Sequence, residues 1–177
     1  GETALAAPRL AVDLSRASRW VRAYYRVWLE QPYVRNDCVG SGIYGLSRDA
    51  AEQLGPLPAL IADDAWVRRR IPRAGRRSVD RTASGEPAAF TITAPANLAS
   101  LLRIEARRRA GDAQLRAILS PPPDDVTSLG SLARTRTASP VDRLIYAAIK
   151  LAGRLLFRWN RLRGRHGVWL RDESSRR

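Results

Sequence analysis

The sequence predicts an α/β fold, a partial domain with few strands that is followed by a C-terminal amphipathic helix. Short alternating apolar segments at 9–14 and 88–93 are typical of strands, and apolar residues at helical spacing recur between them. After a proline-rich stretch, residues 142–163 form one continuous basic helical pattern. We therefore divide the chain into a folded body over 1–120, a linker over 121–139 and a basic helix with its tail over 140–177.

Composition limits the classes of function. The 177 residues carry a formal net charge of +14, nearly all of it from arginine, because Lys150 is the only lysine. Such a charge favours polyanionic partners: nucleic acid, anionic lipid or a phosphorylated substrate. With Cys38 and His166 as the only cysteine and histidine, an intramolecular disulfide is excluded, and Ser-His-Asp chemistry and multi-histidine metal sites are disfavoured. Since the sequence contains no methionine, we expect it to be a fragment or a processed piece.

Several helices can be placed from their caps and apolar spacing. Residues 16–30 are predicted to form a helix whose aromatic stripe, which includes Tyr24 and Trp28, is either core or a surface for a sugar or lipid. Ser47 is expected to cap a short helix over 48–54. Residues 73–85 are predicted to be irregular. Asn97 caps a further helix, which we expect Gly111 to close before a second helical segment over 113–119.

Two adjacent carboxylates, Asp63 and Asp64, follow a short apolar run and begin a helix with Trp66 on one side. One interpretation is helix capping, in which both acids accept backbone N–H groups and complement the helix dipole. The other is catalysis, with one carboxylate as a general base. The two roles are compatible if Asp63 caps and Asp64 faces a substrate.

The order of motifs supports a family resemblance. The segment Gly-Ser-Gly-Ile-Tyr-Gly-Leu-Ser-Arg at 40–48 precedes Ile-Ala-Asp-Asp at 61–64, and a strand, Pro95 and the basic segment that ends at Gly111 follow. This arrangement resembles the C-terminal, acceptor-side half of a bacterial family 2 glycosyltransferase with the GT-A fold, which is Rossmann-like.

The resemblance implies an inverting transfer of a sugar from a nucleotide-sugar donor to an acceptor hydroxyl. It assigns the general base to Asp64, with Asp63 as its neighbour. Members that make long polymers carry Gln-x-x-Arg-Trp, where this chain has Ile104, Arg107 and Arg108, so only the arginine is kept. The remaining residues implied are Arg107 and Arg103 at the donor diphosphate, and Gly40, Gly42, Tyr44 and Trp66 at the acceptor.

The family binds the nucleotide and a divalent metal, Mg or Mn, through an N-terminal half with an Asp-x-Asp motif. Asp13 alone does not supply such a site, because Mg²⁺ typically uses one or two carboxylates together with phosphate oxygens. The resemblance therefore implies that the metal ligands lie outside this chain and that the chain is inactive by itself. Its implied partners are the nucleotide sugar and a saccharide or lipid-linked acceptor, with no specific nucleic acid.

Two alternatives remain for the basic character. Arg68 to Arg77 and Arg103 to Arg109 could bind nucleic acid without catalysis. The helix over 142–163 is too charged to span a bilayer comfortably, and it either packs on the domain or lies on an anionic membrane surface. We expect a cytoplasmic protein that can be peripheral at the inner face of the plasma membrane.

Overall fold

The computed structural model describes residues 2–35, 43–119 and 137–164 of the chain. It is a mixed α/β fold with a small mixed sheet, which confirms the predicted class. The helices are α1 (Arg19–Trp28), α2 (Pro32–Arg35), α3 (Arg48–Leu54), α4 (Asp63–Arg70), α5 (Leu98–Ile118) and α6 (Pro140–Leu162). The region predicted as a linker lies mostly outside the described residues.

The sheet is built on one long strand, β1 (Leu5–Asp13). Its first half lies between the antiparallel β2 (Gly45–Leu46) and the parallel β3 (Arg76–Val79), and its second half pairs in parallel with β4 (Ala89–Thr93). The predicted strand began only at residue 9, whereas β1 begins at Leu5 and includes Pro8. Pro8 is tolerated because β2 is too short to need a hydrogen bond from that position.

The segment predicted as irregular, 73–85, was assigned wrongly in part, since it contains β3. The strand is followed by a hairpin closed by the Ala88 N–H, which donates to the Asp80 carbonyl at 2.8 Å. Beyond the hairpin, β4 continues the pairing with β1. The charged and polar side chains of Arg76, Arg77 and Ser78 hide this strand in the sequence, because tertiary pairing overrides weak β propensity.

Two apolar clusters hold the fold together. The first lies between α1, α5 and α6 and contains Val21, Tyr24, Leu101 and Tyr146, all fully buried. The aromatic stripe of α1 is therefore core, as the first of its two interpretations held, although Trp20 is 42 % exposed. The second cluster joins the start of β1 to α3, α4 and the end of α5.

The caps of α3 and α5 follow the prediction. The Ser47 hydroxyl accepts a hydrogen bond from the Ala50 N–H, and the Asn97 side chain accepts one from the Ser100 N–H. Gly55, with φ of 65°, ends α3 in a backbone conformation that suits glycine.

Gly111 does not close α5, contrary to the prediction. The helix runs through it to Ile118, and Gly111 is buried against the segment that leads into α4. A Cβ at this position would lie 2.9 Å from the Cβ of Ala62. Glycine is therefore required here for the close approach of two chain segments, which the sequence pattern alone could not distinguish from a helix end.

We predict that Gly111→Ala destabilises the protein by about 1–3 kcal/mol, because overpacking at Ala62 outweighs the better helix propensity of alanine. Urea unfolding measures the change. Gly45→Ala is the matched control, since nothing lies within 4 Å of a Cβ at that position. A Gly111→Ala variant as stable as the parent would contradict the proposed contact.

Candidate functional site

The acidic pair lies in the first turn of α4. Ala62 occupies the N-cap position, one residue earlier than a cap by Asp63 would require. The Asp63 carboxylate accepts a hydrogen bond from the Asp64 N–H at 2.9 Å, and the Asp64 carboxylate accepts one from the Ala65 N–H at 2.7 Å. Both acids therefore complement the start of the helix, where free N–H groups and the helix dipole favour negative charge.

Three contacts join α4 to α5, two of them at the start of α4. Besides the approach of Ala62 to Gly111, the Ile61 N–H donates a hydrogen bond to the Gln114 side chain at 2.9 Å. Arg69, further along α4, lies 3.9 Å from Asp112. The acidic pair thus lies on a helix that contacts α5 at both ends.

The two carboxylates differ in environment, because Asp63 is exposed and Asp64 is half-buried. Burial raises the pKa of Asp64, and the charge of Asp63 raises it further. The Ala65 N–H and the positive charges of Arg68 and Arg108 oppose this shift without cancelling it. Asp64 is therefore more basic than an ordinary aspartate, a property that suits a general base.

A buried ionic cluster lies next to this site, in the layer of α1, α5 and α6. Glu105 is fully buried, and its carboxylate is 2.7 Å from the Lys150 ammonium and 3.2 Å from the Arg108 guanidinium. The Tyr24 hydroxyl donates to the same carboxylate at 2.6 Å. Burial alone would raise the pKa of Glu105, but Lys150 and Arg108 outweigh it and lower the pKa to about 2.

Arg108 connects the ionic cluster with the acidic pair. Its guanidinium contacts Glu105 and the Tyr24 hydroxyl, lies 4.9 Å from the ring centroid of Trp28, and also acts electrostatically on Asp64. Burial alone would lower the pKa of Arg108, but its interactions with Tyr24 and with the Glu105 carboxylate outweigh it and raise the pKa. Arg108 is therefore a permanent cation at a fixed position.

The residues predicted to contact the acceptor lie in different environments. Tyr44 is half-buried, and burial together with the charges of Asp63 and Asp64 raises its pKa, so the phenol lies near the acidic pair. Trp66 belongs to the second core cluster and is 8 % exposed. Its contact with an acceptor stays a prediction. Gly40 and Gly42 lie outside the described residues.

Arg107 and Arg103 lie on α5, as the sequence predicted. Arg103 is exposed, and Arg107 is half-buried. Their assignment to a donor diphosphate stays a prediction.

The importance of Arg108, Glu105 and Lys150 was not predicted from the sequence. A signal was present: Glu105 follows Leu101 by one helical turn and so occupies a core position, and the only lysine of the chain follows Tyr146 by one turn. A charged residue at a core position requires a partner of opposite charge. The pairing itself links residues 45 positions apart, which one-dimensional spacing does not reveal.

Among the described residues, no group of three or more histidine, cysteine, aspartate or glutamate side chains is arranged to hold a metal ion. Within the same ranges, none of the helices combines the length and apolarity needed to cross a membrane. Comparisons of the chain with protein-family models, with curated proteins and with solved structures find no match. The site must therefore be interpreted from its own chemistry.

We predict that Glu105→Gln lowers the free energy of unfolding at neutral pH by about 3 kcal/mol, because it removes the buried charge that pairs with the half-buried Lys150 and Arg108. Since folding lowers the pKa of Glu105 from 4.5 to about 2, its contribution is present above pH 4.5 and is lost as the pH falls towards 2. Urea unfolding at pH 7 and near pH 3 measures both effects.

The control for this variant is Glu52→Gln, which removes the charge of an exposed glutamate on α3. It should leave the free energy of unfolding unchanged within about 0.5 kcal/mol. Equal losses in the two variants would show that Glu105 has no special role in the core.

Asp64 and Asp142, which both lie in the first turn of a helix, should respond oppositely to replacement by asparagine. Hydrogen bonds from Arg26 lower the pKa of Asp142 to about 2, so its charge stabilises the fold at neutral pH. The raised pKa of Asp64 means that its charge disfavours folding once the pH exceeds the ordinary aspartate pKa. At pH 7, Asp64→Asn should unfold at higher urea than the parent, and Asp142→Asn at lower urea. Destabilisation by Asp64→Asn would contradict the raised pKa of this carboxyl.

Proposed function

We propose that the chain is the acceptor-side part of a GT-A-like glycosyltransferase, in which Asp64 is the general base. The observation that carries the proposal is the environment of this carboxylate. The Asp64 carboxylate is half-buried and has a raised pKa. It lies in the first turn of α4, where the positive charges of Arg68 and Arg108 act on it. Asp142 also lies in the first turn of a helix, but hydrogen bonds from Arg26 lower its pKa.

In the proposed reaction, the Asp64 carboxylate takes the proton from the acceptor hydroxyl. The resulting oxygen forms a bond to the anomeric carbon, the bond from that carbon to the diphosphate breaks, and the configuration inverts. Arg107 and Arg103 are the proposed contacts of the departing diphosphate, where fixed positive charge stabilises the negative charge that develops. Tyr44 is proposed to contact the acceptor beside Asp64.

The donor nucleotide and its divalent metal belong, in this proposal, to a half of the enzyme outside this chain. In this proposal, Asp63 contributes its negative charge and accepts the Asp64 N–H, and it does not transfer a proton. We place the reaction at the cytoplasmic face of a membrane, with a saccharide or lipid-linked acceptor.

Three arginines of the two stretches that could bind nucleic acid make contacts within the protein. Arg68 is buried, Arg108 contacts Glu105, and Arg109 donates to the Lys150 carbonyl at 3.1 Å. These three arginines are therefore engaged within the protein, whereas other arginines of the same two stretches are exposed. A protein that binds nucleic acid without catalysis gains its affinity from exposed cations.

The test uses the gene product that contains this chain and measures release of nucleoside diphosphate from a panel of sugar nucleotides with candidate acceptors. Asp64→Asn should reduce kcat by about 100-fold or more, because the loss of a general base typically costs 10²–10⁴-fold. Binding of the nucleotide, measured by calorimetry, should be unchanged.

The matched control is Asp49→Asn, which alters an exposed aspartate in the first turn of α3. This variant should keep the activity of the parent. Retained transfer by Asp64→Asn would remove Asp64 from the base role, and absence of transfer with every donor by the parent protein would overturn the proposed function.

A further inference from the structure

The outer face of α6 carries an uncovered apolar stripe. Its inner face packs on α1 and α5 through Tyr146, Ile149 and Gly153. Residues at steps of three and four lie on one side of a helix. On the opposite side this spacing aligns six large apolar residues, each between 52 % and 83 % exposed: Val141, Leu144, Leu151, Leu155, Trp159 and Leu162. The stripe extends over about 30 Å at 1.5 Å per residue.

The charges beside the stripe all have one sign. At 100° per residue, Arg154, Arg158 and Arg161 form a row along one edge of the stripe, and all three are exposed. The only acidic residue of α6, Asp142, lies on the inner face, where it is bound by Arg26 at 2.7 Å. The outer surface of α6 is therefore apolar and cationic without a compensating acid.

We infer that α6 docks the protein on an anionic lipid surface, with the helix parallel to the membrane plane. In this position the leucines and Trp159 enter the boundary between headgroups and acyl chains, and the arginine row contacts anionic headgroups. Trp159, near one end of the stripe, has the amphipathic side chain that favours this boundary. The helix is already ordered by its inner face, so membrane binding does not have to supply the free energy of helix formation.

Two other occupants fit the charges less well. A second copy of α6 on the stripe would bring two arginine rows together with no acids between them, and like charges at an interface disfavour association. A nucleic acid would satisfy the arginines but would leave the leucines without an apolar partner. An anionic membrane matches the apolar stripe and the basic edge together. The membrane contact does not depend on the transfer reaction.

The full chain is tested by cosedimentation with vesicles of phosphatidylcholine alone and with vesicles that contain about a third phosphatidylglycerol. We expect binding to the anionic vesicles and little binding to the neutral ones. Leu151→Asp combined with Leu155→Asp should weaken this binding by about tenfold or more, since it removes two buried side chains from the lipid contact. Circular dichroism checks that the variant remains folded.

Two controls test whether vesicle binding depends on the stripe itself or only on exposed apolar residues and net charge in general. Leu57→Asp alters an exposed leucine away from α6 and should bind like the parent. Arg154→Glu with Arg158→Glu should lose more affinity than Arg48→Glu with Arg77→Glu, which makes the same change of charge at exposed positions elsewhere.

Absence of binding to anionic vesicles would overturn the inference, as would equal losses in the two arginine pairs. Sedimentation equilibrium without lipid tests whether a second copy of the chain binds to the stripe. A dimer that the Leu151→Asp, Leu155→Asp variant dissociates, together with no vesicle binding by the parent, would assign the stripe to self-association. Binding of the parent to single-stranded oligonucleotide in preference to anionic vesicles would also overturn it.

Discussion

The buried carboxylate of Glu105 is the constraint on which the helical layer depends. An ionised carboxylate in a core is stable only if cations and donors surround it, and here each comes from a different place: Lys150 from α6, Arg108 from the next turn of α5, and Tyr24 from α1. The contact between Glu105 and Lys150 is accompanied by a close approach of the α5 and α6 backbones. Gly153 lets α6 approach so closely that a Cβ there would lie 2.7 Å from that of Glu105. One acid therefore joins three helices.

Glu105 also affects the candidate site, because α5 contributes residues both to the ionic cluster and to the contacts of the acidic pair. Arg108 is held by Glu105 on the side of the helical layer and acts on Asp64 from there. Less than one turn further along α5, Gly111 seats the segment that leads into the acidic pair. The carboxylate proposed as a base and the cation that moderates its pKa are thus positioned by one continuous helix.

How much the sequence predicts depends on the range of the interaction. The helix caps at Ser47 and Asn97 and the core spacing of Tyr24 and Trp28 are local, and the structure agrees with them. Strand β3 and the role of Gly111 are set by contacts with residues about 50 to 70 positions away, so no local pattern distinguishes them from a loop and a helix end. The ionic cluster was missed for the same reason. At the acidic pair, residue types suggested the chemistry, but only burial separates Asp64 from Asp63.

For α6, the sequence left packing on the domain and contact with a membrane as alternatives, and the structure shows why they need not exclude each other. A helix with one apolar side must use it either for the core or for an external partner. α6 has two such sides, because the inner residues Tyr146, Ile149 and Gly153 and the outer leucines lie roughly opposite one another. The cations are divided in the same way: Lys150 turns inward to Glu105, while Arg154 and Arg158 remain exposed. The inner side packs in the core, and the outer side is available for a partner that is both apolar and anionic.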